Sequence, residues 1–343
     1  MVDINRRVFL KGLLVVAASA MLPSIDLSAA PAEVEVPKLP WPYEELDPEY
    51  VRKLGHLGYY AFECSGGSFW AIITALREKV GYPYTLLPVP TLDEVEEALE
   101  KHEELPTLMR YGAGGVVGWA SLCGALNGSL SAVNIVTKDW KAVGKKLMRW
   151  YEATPLPTKI SNEYAVNHQF LVKKYKSDKP LPQSVSGSVL CHVSVTRWCE
   201  KSGYASGSAE RSERCARLVG DTVAEAVKLL NAAARGELET VAAIPFSSET
   251  ASCRTCHFKG KNYEEGQFTR GMMECETCHK DMRPHAYSIV STSLGGGSVN
   301  QAKDLILAGT LTTAAVGTAA GIWGYLLKSE KKERAAKSEK ESK

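Results

Sequence analysis

Two five-residue segments set the strongest constraint on this 343-residue chain: Cys253-Arg254-Thr255-Cys256-His257 and Cys275-Glu276-Thr277-Cys278-His279. Both read C-x-x-C-H. Two thiols about one helical turn apart match the two vinyl groups of one porphyrin, and the adjoining imidazole is placed to take the iron from the proximal side. The pattern points to two covalently attached c-type haems on Cys253, Cys256, Cys275 and Cys278, with His257 and His279 as proximal ligands. Zinc is the main competitor, because two C-x-x-C pairs at this separation also suit tetrahedral sulfur ligation. Zinc has no use for the histidine that follows each pair, and neither do structural disulfides. Gly260, Gly266 and Gly271 lie between the motifs and let the chain fold back, so the two haems are expected close together.

Each iron then needs a sixth ligand or an open site. His285 follows a proximal histidine by six residues, His192 adjoins Cys191, and His56 is flanked by Gly55 and Gly58; these three are the candidate distal ligands. His102 sits among charged residues and reads as a surface histidine, and His168 has no assignment. Met272, Met273 and Met282 are alternative axial ligands. Five further cysteines, Cys64, Cys123, Cys191, Cys199 and Cys215, are enough for an iron–sulfur cluster, which takes four thiolates. On their number alone, disulfides plus a free thiol are the favoured reading in an oxidising compartment.

The chain ends carry addresses. Arg6-Arg7 followed by Phe9-Leu10-Lys11 and a short apolar run, Gly12 to Leu22, form a twin-arginine export signal, with Ala30 and Ala32 as a cleavage site; residues 1–32 are read as this signal. That route exports folded proteins, which suits a cluster built in the cytoplasm. Leu305 to Leu327 is uncharged and long enough to cross a bilayer, and the basic tail 328–343 places its end on the cytoplasmic side. The expected location is the outer, periplasmic face of the cytoplasmic membrane. A formal net charge of +2 gives no support for nucleic-acid binding.

Between the ends, apolar residues recur at helical spacing and few stretches alternate with period two, so the fold class is mainly α. The expected organisation is a helical body over 33–236, an irregular dihaem segment over 237–297 and a transmembrane anchor over 305–327. Within the body, Phe69 to Val80 reads as a helix. Thr91-Leu92-Asp93-Glu94 is a capping box for a helix ending near His102. Tyr111 to Val136 reads as a tightly packed buried segment. Thr137 is expected to cap a helix burying Trp140, Val143, Leu147 and Trp150, and Asp221 a second one ending near Gly236.

The stretches Gly118-Trp119-Ala120-Ser121-Leu122-Cys123-Gly124-Ala125-Leu126-Asn127-Gly128 and Ser188-Val189-Leu190-Cys191-His192 carry a resemblance. With Cys64, Trp198-Cys199, Arg214-Cys215 and both haem motifs, the chain resembles the split-Soret cytochromes c, within the wider C_GCAxxG_C_C group of redox proteins. The glycine beside Cys123 follows it here, whereas the group's pattern has it before. The resemblance covers about residues 50 to 285. It implies a mostly α, homodimeric, dihaem protein with bis-histidine ligation, in which ligands can cross between subunits, and a nearby iron–sulfur cluster, 2Fe–2S being favoured. Carried onto this sequence, it implies Cys123, Cys191, Cys199 and Cys215 as cluster ligands, with Cys64 spare. The expected function is membrane-anchored electron transfer to redox proteins or a quinone-linked membrane complex. The alternative is a haem-based reductase of a small substrate at an open axial site.

Overall fold

The structure, a computed structural model, describes residues 36–279. The export signal, the candidate span 305–327, the basic tail, His285 and Met282 lie outside the described residues. Among the described residues there are eight α-helices and no β-strand, only two isolated bridges, and no helix is long and apolar enough to cross a membrane.

Helix α1, Pro48–Val80, organises the body. Asp47 caps it, accepting from Glu49 N at 2.9 Å, and Pro48 occupies the first turn, where no backbone donor is missed. Its regularity fails at Glu63 (φ 58°, ψ −161°), so two helices are joined at a sharp bend. The bend is severe. Residues nine apart in a straight helix stand about 13.5 Å from each other, yet a Cβ added to Gly58 would meet Gly67 Cα at 2.9 Å. Only glycine at both positions lets the two halves close on each other. The expected helix from Phe69 to Val80 is the latter part of the second half.

Helix α2, Leu92–Lys101, opens with the expected capping box: Thr91 Oγ1 accepts from Glu94 N, and Glu94 Oε2 accepts from Thr91 N at 2.7 Å. It ends at His102 in the left-handed region, exposed. The stretch expected to be buried from Tyr111 to Val136 divides in two. Residues 111–120 form a surface loop with Val116, Val117 and Ala120 at positive φ and Trp119 83% exposed. The remainder is α3, Gly124–Val136, whose Ala125, Leu126, Ala132 and Val133 are fully buried. The loop's small residues serve local turns, such as Val117 N to Tyr111 O at 2.7 Å, rather than core packing.

Helix α4, Trp140–Ala153, buries Val143 and Leu147, whereas Trp140 is 51% exposed. Thr137 ends α3 and accepts from Asp139 N at 3.0 Å, so Asp139 is the residue at the start of α4. Helix α5 is Lys159–Val166, α6 is Cys191–Ser202, α7 is Ala209–Ala234 and α8 is Ser248–Cys253. Ser208 caps α7, and Asp221 lies well inside it. The cap-type residue is there because tertiary partners claim its carboxylate. Arg52 pairs with it, and Ser161 Oγ and Thr158 N donate to it at 2.7 Å each. Helix α1 packs mainly on α7 and α3, and the core runs between them.

Candidate functional site

Four of the five non-haem cysteines converge where these helices begin or bend. Cys64 follows the break at Glu63 and so stands at the first turn of α1's second half. Leu122 and Leu190 form an antiparallel bridge, in which Cys123 N donates to Val189 O at 2.9 Å and Cys191 N to Ser121 O at 2.7 Å. The next residue after each bridge partner starts a helix: Cys123 caps α3 and Cys191 opens α6. Cys215 lies near the start of α7. Three of the four thiols therefore sit at helix N-termini, where the backbone dipole favours negative charge.

Glycines permit the approach. A Cβ on Gly124 would stand 2.6 Å from Cys64 Cβ, and one on Gly115 would stand 2.7 Å from Cys191 Cβ. Cys64 is within electrostatic reach of Cys215, Cys123 and Cys191. Burial, and then these neighbouring sulfurs, push the Cys64 thiol well above its ordinary value, and for the same reasons Cys191 is pushed up to about 12. Burial raises Cys123 as well, although the Tyr151 hydroxyl beside it opposes the shift. Cys199 lies two turns along α6, less buried, with Cys215 the cysteine within its reach. The four grouped thiols are thus Cys64, Cys123, Cys191 and Cys215, with Cys199 at the edge. No two of the nine cysteines are bonded to each other in this structure.

No group of three or more His, Cys, Asp or Glu side chains among the described residues is arranged to hold a single metal ion. Positive charge is in place for an anionic group here. Arg211 Nη1 is 4.0 Å and Arg214 Nη1 3.9 Å from Cys215 Sγ. Arg214 is fully enclosed, bonded through Nη2 to Ser194 Oγ at 2.8 Å, and Ser194 Oγ accepts from the Tyr151 hydroxyl at 2.9 Å. Arg214 Nε and Ser65 Oγ are buried without a hydrogen-bond partner. Orphaned donors beside Cys215 and Cys64 fit an acceptor-rich group between them. Sequence reasoning missed Tyr151 and both arginines. Arg211 precedes Cys215 by one helical turn, the only signal that could have found it.

The C-x-x-C-H motifs are built locally. In the first, His257 N and Cys256 N donate to Cys253 O at 2.8 and 3.3 Å; in the second, His279 N and Cys278 N donate to Cys275 O at 2.9 and 3.2 Å. The same turn brings each thiol pair to one side. His257 Nδ1 lies 3.3 Å from Gly266 O, a contact that makes Nδ1 the protonated nitrogen and leaves Nε2 as the metal-binding one. Cys256 and Cys278 are exposed, as a bulky attached group requires. The donor set and its turns fit two haems.

The motifs are also tied together and to the body. Cys275 N donates to Thr250 Oγ1 at 2.9 Å, and Ser247 Oγ to Glu274 Oε2 at 2.8 Å. Thr277 Oγ1 donates to Gly187 O at 2.6 Å, four residues before Cys191. Arg149 pairs with Glu274 at 2.6 Å.

The candidate distal histidines diverge. His192 is exposed beside the 111–120 loop, its N bonded to Ala120 O at 3.0 Å. His56 is fully buried, its Nε2 is 3.0 Å from Glu213 Oε1, and its ring stacks on Phe170 at 3.8 Å. His56 is thus enclosed in the body, with Nε2 engaged by Glu213 and Nδ1 left without a hydrogen-bond partner. His168 is exposed, 3.3 Å from Asp178.

Comparison with known proteins accords with this arrangement. Residues 91–229 match the family described as "Putative redox-active protein (C_GCAxxG_C_C)", a span that holds Cys123, Cys191, Cys199 and Cys215. The chain is 30% identical over 243 residues to the split-Soret cytochrome c of Desulfovibrio desulfuricans, covering 70% of this chain and 77% of that protein. A solved structure described as "A novel iron centre in the split-Soret cytochrome c from Desulfovibrio desulfuricans ATCC 27774" superposes with a TM-score of 0.55 at 27% identity, over 72% of this chain and 94% of the other.

Proposed function

This chain belongs to the split-Soret cytochrome c family, and from that premise we propose that it is an exported, membrane-tethered dihaem electron carrier whose buried thiols hold an iron–sulfur centre. The carrying observation is the tie between the two kinds of site, Thr277 on Gly187, which seats the second C-x-x-C-H motif against the segment that leads into Cys191. When bound, the haems and the iron–sulfur centre supply one-electron oxidation and reduction.

The chain's own residues do the rest. Cys253, Cys256, Cys275 and Cys278 attach porphyrin, while His257 and His279 bind iron from one side, His257 with its ring fixed by Gly266. Cys64, Cys123, Cys191 and Cys215 hold the second centre, and Arg211 and Arg214 offset its negative charge. The helix ends around the thiols exclude water, which strengthens those interactions. Residues 1–32 and 305–327 support export and tethering on the outer face of the membrane, where redox proteins or a quinone-linked complex are in reach.

The reading includes a homodimer. Val117 and Trp119 leave an apolar patch on the 111–120 loop, with exposed His192 beside it, which supports the proposal that a second copy docks here with His192 as a ligand across the interface. His285 is the other distal candidate.

A haem, iron and acid-labile sulfide count on one preparation tests the proposal. The expected result is two covalent haems, two further irons and two sulfides per chain. Haem that leaves in acidified acetone, or iron equal to haem with no sulfide, overturns it.

A further inference from the structure

We propose that the loop 173–179 is the docking site for an acidic one-electron carrier protein, which delivers its electron to the thiol-bound centre rather than directly to the haems. This rests on the reading that Cys64, Cys123, Cys191 and Cys215 hold that centre.

The loop reads Lys173-Lys174-Tyr175-Lys176-Ser177-Asp178-Lys179, four lysines against one acid. Lys173 is paired with Glu100, and Asp178 with His168. Lys174, Lys176 and Lys179 form no ion pair among the described residues, so their charge is available to a visitor. The loop is held from beneath. Buried Arg217 donates through Nη2 to Ser177 O at 2.6 Å and through Nη1 to Lys179 O at 2.9 Å, and Lys176 N donates to the Tyr60 hydroxyl at 2.7 Å. The lysines are therefore displayed on a fixed backbone, which lowers the ordering cost of docking. They line a recess of about 360 Å³ with His168 and Glu210. Asp178 and Glu210 are the acids lining it, Glu213 and exposed Glu63 also act on Lys176, and Lys173, Lys174, Lys176 and Lys179 supply the basic side of the recess.

The position matters as much as the charge. Lys176 Nζ lies 4.8 Å from the Tyr59 ring centroid and 4.4 Å from that of Tyr60. Tyr59 is in turn under the influence of Cys215 and Cys64, and its hydroxyl is 3.1 Å from Ser212 Oγ. The Tyr59 side chain thus links the basic loop to Ser212, three residues before Cys215 on α7. The other two, Cys123 and Cys191, adjoin the Leu122–Leu190 bridge, and the segment leading into it holds the haem segment through Gly187 and Thr277. The thiol group thus stands between a basic surface and the haem motifs. One electron would leave the carrier, which is oxidised, and the centre held by these thiols would be reduced by one electron, with no bond made or broken.

The test uses the haem-loaded full chain and a photoreduced acidic 2Fe–2S ferredoxin as the carrier. Two readouts are taken: haem reduction, and carbodiimide cross-linking mapped by peptide mass. The expected result is cross-links on Lys174 or Lys179. A Lys174→Glu/Lys179→Glu variant is expected to slow the bimolecular rate about tenfold at low salt, with the difference vanishing at high ionic strength. Reduction by an uncharged photoreduced deazaflavin is expected to match wild type, and its loss in the variant overturns the assignment by showing a folding defect. Cross-links confined to 253–279, or an unchanged rate, also overturn it. So does loop-dependent binding to phosphatidylglycerol vesicles without carrier cross-links, which reassigns the face to a membrane. Sulfide counted on the same sample separates the two claims. No sulfide removes the centre, whereas sulfide present with cross-links elsewhere removes only the docking face.

Discussion

Cys64 and Cys278 carry the same thiol and are placed by opposite means. Cys64 is assembled by distant parts of the chain: a helix broken at Glu63, α3 closing on it through Gly124, and α7 bringing Cys215. Its thiol is buried and raised, so without metal it stays protonated, and assembly of a centre must release that proton. Cys278 is set by one turn of its own motif, Cys278 N to Cys275 O, and it is exposed. The body thus makes its cysteines a tertiary site, whereas the C-terminal segment makes each of its pairs a local one that needs the body only for anchorage.

The largest effects separate the two regions outright. Cys64→Ser is expected to abolish acid-labile sulfide while leaving covalent haem unchanged. Cys278→Ser is expected to leave sulfide unchanged and to leave one haem held by the single Cys275 thioether, seen as a red-shifted haemochrome band, and Cys199→Ser to spare both. A haemochrome assay and a sulfide count read this directly, and loss of sulfide in the Cys199 variant but not the Cys64 variant would reverse the ligand assignment.

A smaller effect probes how far the body alone makes the thiol group. In Gly67→Val, the new Cβ would lie 2.5 Å from Gly58 C and 2.6 Å from Tyr59 N, both backbone atoms that cannot give way. The variant is expected to lose about 1–3 kcal/mol of stability and to bind less iron–sulfur, while its haem stays covalent. Chemical denaturation with the same two counts checks this, and unchanged stability would mean that the bend is not held by that contact.

The smallest expected effect concerns His56. Burial holds its pKa below the ordinary 6.5, with Arg217 and Lys176 adding to the shift and Glu213 opposing it. The unfolded chain therefore takes up a proton that the folded one resists, so stability is complete above pH 6.5 and declines as the pH falls, by at most about 1.4 kcal/mol per unit. Urea midpoints at pH 7.5 and 5.5 are expected to differ less in His56→Gln than in wild type, with the haem spectrum unaltered. An equal pH slope would show that His56 is not the responsible group, and a change of haem spin state would restore it as a ligand candidate.

The two regions were also unequally legible. Both C-x-x-C-H motifs were readable because attachment is a short-range demand, as was the Thr91–Glu94 capping box. The helix start misplaced at Asp221 shows the converse: a good capping residue was claimed by Arg52, Ser161 and Thr158 from elsewhere in the chain. His56 between glycines suggested an accessible ligand, but those glycines serve helix contacts, with Gly55 against Gly220 and Gly58 against Gly67. Trp119 resembled core and is surface, because a loop with several positive-φ residues turns it outward.

By itself, the sequence determined what is fixed within a turn or two: the two C-x-x-C-H turns with their adjoining histidines, the mainly helical character and the supply of five further cysteines. Which thiols meet was decided by the tertiary structure. Cys64, Cys123, Cys191 and Cys215 are far apart along the chain, and their meeting depends on the bend at Glu63, the Leu122–Leu190 bridge and close approaches that only glycine allows. Local spacing encodes the reach of a side chain, while convergence of remote helices is set by packing, which no short pattern records.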